Sequence, residues 1–204
     1  MYARGVSWLL DQMSDVGYAD EYGERWDVLR DHLIKGWAEY YYTPSAVSPA
    51  SHVLSTGKFL ARLDPDNADT YLQQVRWHSD EILAQFAQYP AGDWRQWFDD
   101  HEGVQDVSHA QHVMESAAWG HLGDEGLAYM ERAFWRVYTP QTGKFAYLVD
   151  GTGETSSQTM YGWASIGALS RKHQQALEAH GGLLYKSLWF GVMAENAARL
   201  EAAG

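Results

Sequence analysis

Apolar positions in this chain recur mostly at intervals of three and four, the period of a helix with one buried face. Val6, Leu9, Leu10 and Met13 set a first stripe and predict a short helix over 3–14. Trp26, Leu29, Leu33, Trp37 and Tyr40 set a second over 24–42, separated from the first by a polar, glycine-containing link. It ends before Thr43-Pro44, since proline drives the preceding residue out of the helical region. Ser48-Pro49 reads as N-cap and first residue of a helix running to about Leu63. After the turn Asp64-Pro65-Asp66, a long stripe follows: Ala68, Tyr71, Leu72, Val75, Ile82, Leu83 and Phe86. Asp66 or Asn67 caps that helix, and Tyr89-Pro90 stops it.

Residues 91–103 read as a loop with one turn of helix at most. Ser108 and Gln111 fit a capping box, which would start the next helix there and leave Asp106 just outside. That helix reaches about Leu122. Leu127, Met130, Ala133, Phe134 and Val137 then mark another amphipathic one. Thr139 to Gly143 is a turn, Phe145 to Val149 alternates briefly like a strand, and Asp150 to Gly153 is a tight turn. Thr155 and Gln158 form a second candidate capping box ahead of a Gly/Ala-rich helix through Tyr161, Gly162, Trp163 and Ala168. Arg171 to His180 is its extension or its exit, Gly181-Gly182 breaks it, and Leu183 to Leu200 is the last amphipathic helix.

The order repeats weakly. A polar entry leads to a small-residue helix, then a turn, then a longer amphipathic helix. The small-residue helices begin near Ser51-His52, Ser108-His109 and Ser157-Gln158. Gly and Ala faces allow close packing around an axis, with the amphipathic partners outside. The expected fold is all-α: one domain over 1–204, an incomplete α/α toroid of about four helical hairpins. A short β-hairpin-like insertion lies near 145–153. A closed ring needs more hairpins, so the ring is either incomplete or completed by a second chain or an oligomer.

Composition narrows the function. The net charge is −12, which disfavours nucleic acid and anionic membrane as partners. No cysteine is present, so thiolate chemistry, disulfides and Cys-ligated zinc are excluded. The N-terminus lacks the apolar run of a signal peptide, and no stretch reaches the ~20 apolar residues of a membrane span. A cytoplasmic location is the expectation. The 10 Trp and 13 Tyr against 6 Phe suit two uses. They are large packing groups whose polar tips find partners, or rings that stack on sugar faces.

The densest chemistry is Asp106-Val-Ser-His-Ala-Gln-His-Val-Met-Glu115. Members three apart on a helix are about 60° out of step, so Asp106, His109, His112 and Glu115 cannot all converge. Neighbours can: Glu115 beside His112 would orient that ring, and Asp106 could fold back onto His109. Either pair would make a general base. The plain alternative is a histidine bonded in the first turn and another packed in the core. A metal needs three converging ligands, usually with an i, i+4 pair; that spacing is absent, and neither metal nor other cofactor is expected. Asp99, Asp100 and Glu102 precede the helix and could serve hydrolysis with Asp106. Tyr161 opens its helix as His109 and His52 open theirs, and is a candidate acid. His52, Trp94, Trp97, Trp119 and Trp163 are candidate substrate contacts, with Arg95 and Lys58 the nearest cations. No nucleotide-binding loop or GxSxG elbow occurs.

The run His112-Val-Met-Glu-Ser-Ala117 followed by Gly123-Asp-Glu-Gly-Leu-Ala-Tyr-Met-Glu-Arg-Ala133 resembles the N-acylglucosamine 2-epimerase family. The helix alternation resembles α/α-toroid carbohydrate-active enzymes more widely, including polysaccharide lyases, uronate epimerases and some glycoside hydrolases. The resemblance implies sugar binding in a toroid mouth, with His109 and His112 as acid/base candidates. Three functions therefore stand as expectations. The first is proton abstraction from a sugar or uronate, by elimination or epimerisation. The second is hydrolysis by paired carboxylates. The third is a non-catalytic helical module that binds a glycan or a protein.

Overall fold

In the computed structural model, residues 2–40, 46–98, 103–142, 144–153, 161–180 and 186–202 are described, and they are mostly helical. They fall into two units, Met1–Ile82 and Leu83–Gly204.

The first unit holds α1 (Tyr2–Asp15), α2 (Tyr18–Tyr22), α3 (Glu24–Tyr40), α4 (Val47–Leu63), a 3-10 turn (Pro65–Asn67) and most of α5 (Ala68–Gln88). α1 packs on α3 and α4. The apolar stripes meet in one core: Leu10, Leu33, Trp37, Val53, Leu60, Leu63 and Tyr71. Gly57 permits the tightest approach. A Cβ there would stand 2.5 Å from a Val75 methyl and 3.0 Å from the Trp37 ring. An ion pair joins Arg62 to the buried Asp11.

Three local expectations need correction in this unit. The polar link contains α2, a single short turn of helix. α4 starts at Val47, ahead of Ser48, and its N-cap Ala46 makes no side-chain bond. The Ser48 carbonyl instead accepts the Ser51 hydroxyl. Leu9 and Leu29, expected on buried stripes, are exposed. Residues 41–45, including the Thr43-Pro44 stop, lie outside the described residues.

The second unit holds the end of α5, α6 (Val107–Ala118), α7 (Gly123–Val137), β1 (Tyr138–Thr139) and β2 (Lys144–Phe145). α8 (Tyr161–Ala164), a 3-10 turn (Ser165–Leu169), α9 (Arg171–His180) and α10 (Lys186–Ala202) complete it. α6 packs against α7, α8 and the 165–169 turn, while α9 and α10 close on that same turn. Aromatic rings fill the core along α7. Phe86 stacks on Tyr129 with centroids 3.9 Å apart, and Phe134 stacks on Tyr138 at 5.2 Å. The polar tips find carbonyls, as burial demands. The Tyr129 hydroxyl donates to Tyr89 O and the Trp163 indole to Val107 O.

The hairpin is earlier than the alternation suggested. Tyr138 pairs with Phe145 and Thr139 with Lys144, so of these four strand residues only Phe145 falls within 145–153. Asp150 to Gly153 is a turn, with Asp150 Oδ1 accepting from Thr152 N and Oγ1. The Gly/Ala-rich segment is one turn of α-helix that tightens to 3-10. α9 is a separate helix, because Ser170 is extended (φ −165, ψ 156). The Thr155/Gln158 box and Gly181-Gly182 lie outside the described residues. Among the described residues no helix is long and apolar enough to cross a membrane.

Candidate functional site

The geometry with most chemical content sits where α6 begins. Asp106 is extended (φ −76, ψ 152), and its Oδ1 accepts the His109 backbone N–H at 3.0 Å. That is an N-cap bond. Asp106, not Ser108, therefore caps the helix, and α6 starts at Val107. The capping box was read two residues late, since an aspartate three before His109 caps as well as a serine does. The helix ends at Ala118 rather than Leu122. Gly120 adopts φ +75, and the His121 and Gly120 amides bond back to Ser116 O and Ala117 O, a glycine-terminated C-cap.

The cap residue has a second bond to make. Its Oδ2 lies 2.6 Å from His109 Nδ1 and accepts from Gln105 Nε2 at 3.3 Å. The Asp106 side chain is 16% exposed and that of His109 is 57% exposed. With Asp106 as carboxylate, the His109 proton belongs on Nδ1. Nε2 then keeps its lone pair on an open ring. The contact orients a ring that faces solvent.

The cap is held by extended chain on both sides. Gln105 N donates to Trp94 O, and Val149 N donates to Gln105 O. Isolated bridges pair Arg95 with Val104 and Leu148 with Asp106. Val107 N donates to Tyr147 O, which fixes Tyr147, an exposed ring, beside the helix start. Gly153 makes room for that ring, because a Cβ there would stand 2.8 Å from Tyr147 Cβ. α8 crosses α6 at Gly162. Its N–H donates to Gln111 Oε1, and a Cβ would come within 2.3 Å of Gln111 O.

The other candidates separate from this cluster in several ways. His112 and Glu115 are buried in α6. Tyr161 opens α8, next to the Gly162 contact; its side chain lies outside the description. Trp94 and Trp163 are fully buried core rings, so neither offers a face to a sugar as was expected. Trp97 is exposed on the loop that carries Trp94 and Arg95. Arg95 lies over the Tyr89 ring at 5.1 Å. Trp119 is the C-cap of α6, at the end away from Asp106. His52 and Lys58 are half-buried on α4 in the first unit, and burial lowers the Lys58 pKa. Asp99, Asp100 and Glu102 lie outside the described residues. Among the described residues no three histidines or carboxylates group as a metal site would require.

Gln105, Gln111 and Tyr147 were missed from the sequence. Only Gln111 carried a signal, as the fourth residue of the supposed capping box. Comparison of the chain with protein-family models, with curated proteins and with solved structures finds no match in any of the three.

Proposed function

We propose that the protein is a carbohydrate-active enzyme of lyase or epimerase type, with His109 as its general base. The observation that carries this reading is the 2.6 Å contact of His109 Nδ1 with Asp106 Oδ2 on a ring that is 57% exposed. Nε2 would take the proton from a carbon next to a carboxylate or carbonyl. The imidazolium so formed would stand against the Asp106 carboxylate, which stabilises it and keeps its tautomer. Expulsion of a β-substituent then gives elimination; return of a proton to the opposite face gives epimerisation. Tyr161 is the proposed partner acid, because α8 is anchored to α6 one residue away, at Gly162. The exposed Trp97 and Tyr147 are the proposed stacking faces.

The arrangement we propose for the helices is the incomplete α/α toroid. Its support is the contrast between α4 and α6, which bury most of their residues, and α7, which buries one face. Exposed Trp8, Leu9, Val28 and Leu29 would be where a completing chain lies. The hydrolytic alternative is weaker. Asp106 is committed to His109 and Gln105, whereas a hydrolase carboxylate must meet the substrate.

The test is a panel of neutral and acidic oligosaccharides incubated with the protein in deuterated water and read by mass spectrometry. Solvent deuterium in an intact sugar, or cleavage without gain of water that leaves one unsaturated product, supports the reading. Cleavage with gain of water overturns it in favour of hydrolysis. On the substrate found, His109→Ala is expected to lower turnover by about 10²–10⁴-fold with the helical circular dichroism intact. Unchanged turnover would remove His109 from the mechanism.

A further inference from the structure

We propose that Arg95, Arg132 and Arg136 form a binding site for a phosphate group, one that does not depend on the His109 reading. Arg30, Arg62 and Arg199 each hold a carboxylate. Arg95, Arg132 and Arg136 hold none among the described residues, although the chain carries a net charge of −12. They gather instead around one pair of tyrosines in the second unit.

The Tyr129 hydroxyl donates to Tyr89 O at 2.5 Å, and Gly92 N donates to the same carbonyl at 2.9 Å. These bonds close the 89–92 turn against α7. Arg95 lies over the Tyr89 ring, 5.1 Å from its centroid, and Arg132 lies over the Tyr129 ring at 5.7 Å. Arg136 follows Arg132 by one helical turn and reaches the 89–92 turn itself. A Cβ on Gly92, where φ is +89, would fall on Arg136 Nη1. Glycine at 92 therefore leaves the place that this guanidinium fills. The buried Tyr129 hydroxyl feels the charges of Arg136, Asp93 and Arg132, in that order.

Packing, not hydrogen bonding, holds these groups. Arg136 Nη1 and Arg95 Nε are sealed from solvent without an acceptor. The remaining guanidinium N–H groups of both residues make no bond in the protein and reach solvent. Arg132 is exposed. The fully buried Trp94 indole, edge-on to Tyr129, is a further sealed donor; the one acceptor left over on the adjoining ribbon is Gln105 Oε1. Donors are in excess, and so is positive charge. Among the described residues, Asp93 and Asp150 are the carboxylates on the two turns that touch Arg136. Three guanidiniums face these two. Arg132 and Arg136, four apart on one helix face, also repel each other until an anion lies between them.

The ligand must bring acceptors and negative charge. Each guanidinium is a planar fork that takes two oxygens at once. Three forks exceed what the two oxygens of a carboxylate can accept, whereas a phosphate group presents at least three. Inorganic phosphate and an organic phosphate ester offer that same group.

The experiment titrates the full chain with inorganic phosphate near neutral pH at constant ionic strength, with acetate as the carboxylate control, and follows ¹H–¹⁵N signals. Saturable shifts of the Gly92 amide and the Trp94 indole are expected, half-complete at about 10 mM phosphate or below. Arg136→Gln should weaken binding by about tenfold or more. Should that variant fail to fold, the exposed Arg132→Gln serves in its place and should also weaken binding. Arg199→Gln removes the same charge from α10 and should leave the isotherm unchanged. Phenyl phosphate names the source: tighter binding than phosphate supports an ester ligand, weaker binding supports the free ion. No saturable shift with either phosphate, equal binding of acetate, an isotherm unchanged in the Arg132 or Arg136 variant, or an equal loss in Arg199→Gln would each overturn the proposal.

Discussion

The second unit contains the same local device twice. At the start of α6, Asp106 accepts the His109 amide and touches His109 Nδ1 at 2.6 Å. At the start of α9, Ser170 Oγ accepts the His173 amide at 3.3 Å and lies 2.7 Å from His173 Nδ1. Both follow from a capping residue three positions before a histidine. Their surroundings are opposite. The His109 side chain is 57% exposed on an anionic cap. His173 is 4% exposed, wedged against Phe134 and Trp135, with Glu131 Oε1 3.3 Å from Nε2. The spacing builds the contact. Exposure and the charge of the cap decide whether it has chemistry to offer.

Four experiments break or sharpen that contrast. The largest effect is expected from Asp106→Asn, which keeps a capping oxygen but removes the charge. Turnover on the substrate found should fall by about 10²-fold or more, within the range of a lost general base. Ser170→Ala should leave turnover unaltered, so equal losses in the two variants would erase the distinction. Gly162→Ala comes next. Its Cβ has no room against the α6 backbone, and urea unfolding should show a loss of about 1–3 kcal/mol. A neutral result would mean that α8 does not brace the exposed copy.

Removing the caps comes third. Asp106→Ala and Ser170→Ala should each cost about 0.5–2 kcal/mol in the same measurement. The Ser170 variant should cost more, because it also leaves the buried His173 Nδ1 without its partner. The reverse order would mean that the charge of Asp106 outweighs burial at Ser170. The smallest effect is a pH dependence. Burial lowers the pKa of His173, with Glu131 opposing and Lys172 assisting, and burial likewise lowers that of His78. Below about pH 6.5 the unfolded chain takes up protons that the folded chain refuses. Stability present above that pH is therefore lost as the pH falls toward the folded value. The melting temperature should drop between about pH 7 and about pH 5.5. His173→Gln should flatten the slope. A slope unmoved by His173→Gln would place the effect elsewhere.

Helical class, most helix positions and the Asp106–His109 pairing were legible because each depends on spacing along the chain. Tyr71, Val75, Ile82 and Phe86 are buried where their stripe placed them. Four features were not legible, and each turns on a distant neighbour. The strand partner of Phe145 is Tyr138, which lies between the end of the Leu127–Val137 stripe and the expected turn. Trp94 and Trp163 look no different in sequence from Trp97, yet only Trp97 of the three is exposed. Tyr147 enters the site through a backbone carbonyl, which no side-chain pattern reveals. The buried Asn196 amide is held by Gln174, 22 positions earlier.

The crossing of α6 and α8 also ties two distant stretches of the chain together. Gln111 Oε1 takes the Gly162 amide, Trp163 takes the Val107 carbonyl, and the space between leaves no room for a side chain at 162. Gln111 on α6 and Gly162-Trp163 on α8 thus specify one crossing, although 50 residues intervene between Gln111 and Gly162. A chain with a bulky residue at position 162 would need a different path past α6.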